Sequence, residues 1–184
     1  MVLDWEDIVR LSIKLGRKIS KSNFKADAIV AILRGGLVPA RILSDYLNIT
    51  KMYAMGVSFY TDLAKHKSEP IITQPLHARF DKKKILLVDD VADTGLSLIV
   101  AREHIFSLGA EDVKVATLHK KPWSKITPDF YVEDTDAWII YPWEYIESLE
   151  SLRNKLLSSE VSEDDRKIVK KTLEHVEKLM KKYL

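Results

Sequence analysis

Ile85-Leu86-Leu87-Val88-Asp89-Asp90-Val91-Ala92-Asp93-Thr94-Gly95-Leu96-Ser97 sets a short apolar run directly before two adjacent carboxylates, a third carboxylate and a hydroxyl-glycine-hydroxyl turn. The apolar run reads as a strand buried on both faces, and Leu96 to Leu108 reads as a helix with Gly109 at its C-terminal cap. Each polar part has a chemical use. Asp89 and Asp90 at the carboxyl end of a strand can accept hydrogen bonds from vicinal hydroxyls or hold a magnesium ion through water. The successive N–H groups from Asp93 to Ser97, with the hydroxyls of Thr94 and Ser97, form an anion-binding concavity at a helix N-terminus. Gly95 lets an anion approach the backbone closely. Carboxylates beside a phosphate site make sense together when the ligand is a sugar phosphate, whose hydroxyls go to the acids and whose phosphate goes to the N–H groups.

Outward from this segment the chain alternates strand and helix patterns. Asp4 caps a helix whose apolar stripe is Trp5, Ile8, Leu11, Leu15 and Ile19. Ala28 to Leu33 is a second continuous apolar run, followed by Arg34-Gly35-Gly36 and a helix carrying Pro39, Ala40, Leu43, Tyr46 and Leu47. Met52 to Phe59 is the next strand. Tyr60 to about Lys83 is polar, holds Pro70 and Pro75, and reads as an irregular functional loop in which only Ile71-Ile72 is strand-like. Val113 to Leu118, Phe130-Tyr131-Val132 and Trp138-Ile139-Ile140 complete the strands. The class is therefore α/β, a mainly parallel central sheet with helices on both faces, and ligands are expected beyond the carboxyl ends of its strands. Residues 1–144 read as one domain and 145–184 as a C-terminal helical extension. In the extension, Ile146, Leu149, Leu152 and Leu156 mark one helix, and Ser162 with Asp165 opens another bearing Val169, Leu173, Val176, Met180 and Tyr183.

Composition narrows the function classes. The chain has 184 residues, of which 46% are hydrophobic, enough for one real core. Its 29 basic and 27 acidic side chains nearly balance, which argues against a nucleic-acid polyelectrolyte binder. No apolar run approaches a membrane span, and the N-terminal residues lack the pattern of a signal peptide, so a cytoplasmic protein with no membrane partner is expected. The absence of cysteine excludes disulfides, thiolate metal sites and a cysteine nucleophile.

The segment from Ile85 to Ser97 closely resembles the phosphoribosyl-pyrophosphate signature of the type I phosphoribosyltransferases, and other pieces follow in the same order. Arg34-Gly35-Gly36-Leu37-Val38-Pro39 looks like that family's pyrophosphate loop, and residues 60–83 stand where its flexible hood loop lies. His119-Lys120-Lys121-Pro122 and Asp136-Ala137-Trp138-Ile139-Ile140-Tyr141-Pro142-Trp143 are similar to the 6-oxopurine branch, the hypoxanthine-guanine and xanthine-guanine enzymes. The resemblance implies the type I phosphoribosyltransferase fold and a purine-salvage transfer of ribose 5-phosphate from phosphoribosyl pyrophosphate to N9 of a 6-oxopurine. It implies that Asp89 and Asp90 bind the ribose hydroxyls and, through them or water, Mg2+. Thr94, Gly95, Leu96 and Ser97 would hold the 5′-phosphate, and Arg34, Gly35 and Gly36 the pyrophosphate. Asp93 would sit at the purine N7 as the catalytic base, Lys121 would donate to the 6-oxo group, with Lys120 as the alternative, and Trp138 would stack on the base, with Trp143 nearby. Tyr60, Lys65, Lys67 and Arg79 are hood residues able to cover the reacting centre. A homo-oligomer, dimer or tetramer, is expected, and residues 145–184 inherit nothing from the resemblance.

Three other readings compete. A signalling receiver domain also has a strand ending in paired aspartates, with Asp134 at a plausible distance for a phosphoacceptor, but a receiver begins with that strand and gives Thr94-Gly95 no role. A regulator that senses phosphoribosyl pyrophosphate without catalysis would keep the same fold. A dinucleotide-binding domain would need G-x-G-x-x-G after a strand, and this is absent.

Overall fold

A computed structural model of the chain describes residues 1–62, 67–157 and 162–182. Among these, six strands form one sheet: β1 (Ala28–Leu33), β2 (Met52–Asp62), β3 (Lys67–Gln74), β4 (Lys84–Ala92), β5 (Asp112–Lys120) and β6 (Phe130–Asp134), in the spatial order β3-β2-β1-β4-β5-β6. All neighbouring pairs are parallel except β2 and β3. The helices are α1 (Trp5–Ser20), α2 (Leu37–Tyr46), α3 (Leu96–Ser107), α4 (Tyr145–Leu157) and α5 (Glu163–Met180). No helix among the described residues is long and apolar enough to cross a membrane.

The chain divides into two compact units, one of residues 9–136 and the other of residues 1–8 with 137–184. The first holds the whole sheet. Val30, Ile32, Ile85, Leu87, Val113 and Val115 alternate onto one face and pack with Leu98, Ala101 and Ile105 of α3. Ile29, Ala31, Leu86 and Val88 are equally buried and point to the opposite face, where α2 packs on β1 and β4. Strands covered on both sides need continuous apolar runs, which is why β1 and β4 stand out in the sequence. Gly109, at φ 96°, ends α3 as expected.

Residues 60–83 differ from the expected irregular loop. Lys67–Gln74 is a strand that pairs antiparallel with β2, from Gly56↔Gln74 to Asp62↔Lys67, so residues 60–62 and 67–74 are regular strands. An edge strand needs apolar residues on one face only, which hides it in a polar sequence. Ile72 packs on the core while Ile71 is exposed, and Pro70 is tolerated because β3 has no outer neighbour. The side chains of Tyr60 and Lys67, and all of Lys65, lie outside the described residues. Arg79 is engaged with Asp81 at 3.0 Å.

In the second unit Trp138-Ile139-Ile140 is not a strand. Ile140 makes one isolated bridge to Val2, with its N–H donating to the Met1 carbonyl at 2.9 Å, and the run is apolar because Ile139 and Ile140 are buried. The Tyr145 hydroxyl donates to the Leu3 carbonyl at 2.6 Å. Leu149 and Leu152 of α4 pack with Val169, Val176 and Leu179 of α5, while Ile146, 74% exposed, lies off the buried stripe assigned to it. Ser162 caps α5 by accepting from the Asp165 N–H at 3.1 Å. Tyr183 lies outside the described residues.

His119 on β5 is fully buried, and its pKa is pushed down to about 4 by desolvation, which outweighs the attraction of Glu133 and is reinforced by the Lys121 charge. The unfolded chain therefore takes up this proton near pH 6.5 while the folded chain resists it until about pH 4. Stability attributable to His119 is intact above pH 6.5 and falls by about 3 kcal/mol as the pH drops to 4. Urea unfolding of wild type and His119→Gln at pH 7 and pH 4.5 checks this. The wild type is expected to lose roughly 2–3 kcal/mol more than the variant, and equal losses would rule the contribution out.

Candidate active site

The parallel strands β1, β4 and β5 end at the same edge of the sheet, and the candidate residues lie just beyond them. Adjacent positions on a strand point to opposite faces, so Asp89 and Asp90 diverge. Asp89 is half-buried and lines a small cavity of about 100 Å³ with Phe59, Val91, Asp93, Thr94, Gly95, Ser97 and Leu98. Asp90 is 7% exposed, and its N–H donates to Asp89 Oδ1 at 3.0 Å. Its carboxylate turns to the loop after β1, where a Cβ on Gly35 would collide with Asp90 Oδ2. A Cβ on Gly36 would lie 2.5 Å from the Val88 carbonyl and 2.7 Å from that of Ile32. Glycine at both positions is what lets the Arg34 loop lie directly on the end of β4. The Leu33–Arg34 peptide is cis, and Arg34 is exposed.

On the cavity side, Gly95 adopts φ 80° and is the N-cap of α3. The Thr94 hydroxyl accepts from the Leu96 N–H at 3.4 Å. With no side-chain cap on α3, the first-turn N–H groups around Ser97 are available to an anion, and the cavity between them and Asp89 has room for a small one. The arrangement puts a donor-rich pocket for an anion against an acceptor for hydroxyls, the pairing expected of a sugar phosphate.

The loop after β5 is fastened to the same turn. The Lys121 N–H donates to the Ala92 carbonyl and the Lys125 N–H to the Thr94 carbonyl, both at 2.9 Å. The two lysines left open by the sequence separate clearly. Lys120 pairs with Asp134 at 2.7 Å and lies over the Tyr131 ring, so its charge is committed to β6 and its pKa is raised by that hydrogen bond. The same pair occupies Asp134, the residue a receiver reading would have phosphorylated. Lys121 is 7% exposed, with its ammonium 5.4 Å from the centroid of the Trp123 ring. Trp123 in turn donates its indole N–H to Asp93 Oδ1 at 2.9 Å. The sequence reading missed Trp123. The available signal was an aromatic two residues after Lys121 in a loop that needs no aromatic for its turn.

Asp89, Asp90, Asp93, Thr94, Gly95, Leu96, Ser97, Gly35, Gly36, Arg34 and Lys121 thus belong to one unit and one edge of its sheet. Trp138 belongs to the other unit, where it is 54% exposed and its carbonyl accepts from the Met1 ammonium at 2.6 Å. Trp143 stacks on Tyr141 at 4.7 Å, which commits it to packing. For a cation, the described residues contain no cluster of three or more histidine or acidic ligands. Two carboxylates fit an ion such as Mg2+ that keeps most of its waters and is carried largely by a substrate's phosphates.

The sequence pattern of the phosphoribosyl transferase domain matches residues 1–149. The xanthine-guanine phosphoribosyltransferase of Idiomarina loihiensis is 33% identical over 154 residues, 80% of this chain and 91% of that protein. That of Gluconobacter oxydans is 30% identical over 76% of this chain and 82% of its own length. Among solved structures, a purine phosphoribosyltransferase from Pyrococcus horikoshii is similar with a TM-score of 0.71 and 38% identity, covering 78% of this chain and 92% of that one.

The contact of Gly35 with Asp90 gives a direct check on this geometry. Gly35→Ala is expected to destabilise the protein by about 1–3 kcal/mol, the usual cost of forcing an extra carbon into a packed place. In an Asp90→Ala background, where the obstructing carboxylate is gone, most of that penalty should vanish. Thermal unfolding of the four proteins measures it, and an undiminished penalty in the double variant would mean that Gly35 does not lie on Asp90.

Proposed function

Because the chain belongs to the phosphoribosyl transferase family, we propose that it transfers ribose 5-phosphate from phosphoribosyl pyrophosphate to N9 of a 6-oxopurine. The products are the nucleoside 5′-monophosphate and pyrophosphate. The observation that carries this reading is the single cavity lined by both Asp89 and the Thr94–Ser97 turn, with Asp93 and Lys121 alongside. In this reading the turn takes the 5′-phosphate, and Asp89 and Asp90 take the ribose hydroxyls. Arg34 and the Gly35-Gly36 backbone meet the pyrophosphate. Asp89 and Asp90 would hold Mg2+ through water or the ribose hydroxyls, and the ion would supply positive charge at the leaving group.

The C1′–oxygen bond to pyrophosphate breaks as the N9–C1′ bond forms, and the base must lose a proton. Asp93 accepts it at N7, which makes N9 the better nucleophile, and the guanidinium of Arg34 stabilises charge on the departing pyrophosphate. Lys121 can only donate, so it suits the 6-oxo group of hypoxanthine, guanine or xanthine and opposes the 6-amino group of adenine. Its near-complete burial supports it over Lys120, whose charge is spent on Asp134. Stacking on the base is the role that the family resemblance gives Trp138. Residues 60–83 cover the reacting centre and keep water from the oxocarbenium-like carbon.

Residues 1–144 carry the reaction, and 145–184 are an extension. The enzyme works in the cytoplasm as a homo-oligomer, dimer or tetramer. The names of the relatives favour transfer over the sensing regulator.

Pure protein incubated with phosphoribosyl pyrophosphate, Mg2+ and each of hypoxanthine, guanine, xanthine and adenine tests the proposal. Nucleotide should form from at least one oxopurine and hardly from adenine. A polar pocket group can discriminate by as much as ~10⁴, and Lys121→Ala should narrow that ratio sharply. No nucleotide from any oxopurine would end the transferase reading, and an unchanged ratio in Lys121→Ala would remove Lys121 from the 6-position.

A further inference from the structure

Trp123 is 55% exposed, so it is not held in place by burial, yet its one polar atom is committed to Asp93. Water would serve an exposed indole N–H equally well, so the contact matters more for the carboxylate than for the indole. Asp93 lies on an exposed turn, and an aspartate carboxylate has a broad χ2 preference of its own. The hydrogen bond to Oδ1 at 2.9 Å restrains that rotation and leaves Oδ2 for a ligand. The backbone that carries Trp123 is itself fixed. Lys121 and Lys125 are tied to the carbonyls of Ala92 and Thr94 on either side of Asp93, and the Ser124 N–H donates to the Lys121 carbonyl at 3.1 Å. The same indole ring lies under the Lys121 ammonium at 5.4 Å, within cation–π range. One side chain thus touches both groups that the proposed function turns toward the base.

We infer that Trp123 is a positioning residue: its indole N–H holds one oxygen of Asp93 so that the other faces the purine N7, and its ring steadies Lys121 for the 6-oxo group. The inference rests on the reading of Asp93 as base and Lys121 as 6-oxo donor. It deepens that reading by naming what orients both. The two halves of the role separate by substitution. Trp123→Phe removes the N–H and keeps an aromatic face, whereas Trp123→Ala removes both.

Steady-state kinetics of Trp123→Phe, Trp123→Ala and Asp93→Asn test it. Trp123→Phe should lower kcat by about tenfold or more, the scale lost when a supporting partner of a reacting group is removed, with KM for phosphoribosyl pyrophosphate unchanged. Trp123→Ala should lose as much kcat and also narrow the oxopurine-to-adenine ratio. A merely structural role would raise KM for phosphoribosyl pyrophosphate instead, because the loop backs the Thr94–Ser97 turn, and that outcome would overturn the inference. The indole N–H resonance of Trp123, assigned by its loss in Trp123→Phe, should shift in Asp93→Asn, and an unmoved resonance would contradict the contact. Wild-type kcat in Trp123→Phe beside a collapsed Asp93→Asn would defeat the positioning role alone. Near-normal turnover in Asp93→Asn would defeat the reading of Asp93 as base, and the inference with it.

Discussion

Parallel pairing of β1, β4 and β5 is the constraint from which the site follows. Parallel strands share a direction, so the Arg34 loop, the Asp89–Asp90 pair and Lys121 all emerge at one edge although they are distant in sequence. The register sets how closely they meet. Ala92 stands opposite Lys120, which puts Lys121 within reach of the Ala92 carbonyl and docks the following loop on the turn that opens α3. Parallel pairing in turn requires both faces of the sheet to be covered, which the apolar runs of β1 and β4 provide.

Charge is separated within a small volume by the pleat. Three carboxylates stand within five residues beside a pocket for an anion, an arrangement that would repel phosphate if all three faced it. The alternation of the strand turns Asp90 toward Gly35 and leaves Asp89 at the cavity, while Trp123 engages Asp93. Lys121 brings a positive charge to the same edge, and Lys120, one residue earlier at the end of β5, is neutralised by Asp134.

What was legible in the sequence was local. Buried parallel strands need continuous apolar runs, Gly109 announces a helix end, and Ser162 with Asp165 announces a helix start, so β1, β4, α3 and α5 could be read directly. The elements that escaped depend on partners far along the chain. β3 is polar because it is an edge strand, and only its pairing with β2 reveals it. Trp138-Ile139-Ile140 has a strand's composition, but its burial comes from packing around a single bridge to Val2. The choice between Lys120 and Lys121 waits on Asp134 of β6, and Trp123 gains its meaning only when the loop after β5 folds back on Asp93.

The central claim is that the Thr94–Ser97 turn and the Asp89–Asp90 pair bind one phosphorylated ribose between them. A crystal structure of the chain with inosine or guanosine 5′-monophosphate tests this most directly. The phosphate is expected on the backbone N–H groups of residues 94–97, with the ribose hydroxyls at Asp89 and Asp90. A nucleotide whose phosphate lies elsewhere, or whose ribose does not reach these two carboxylates, would contradict it.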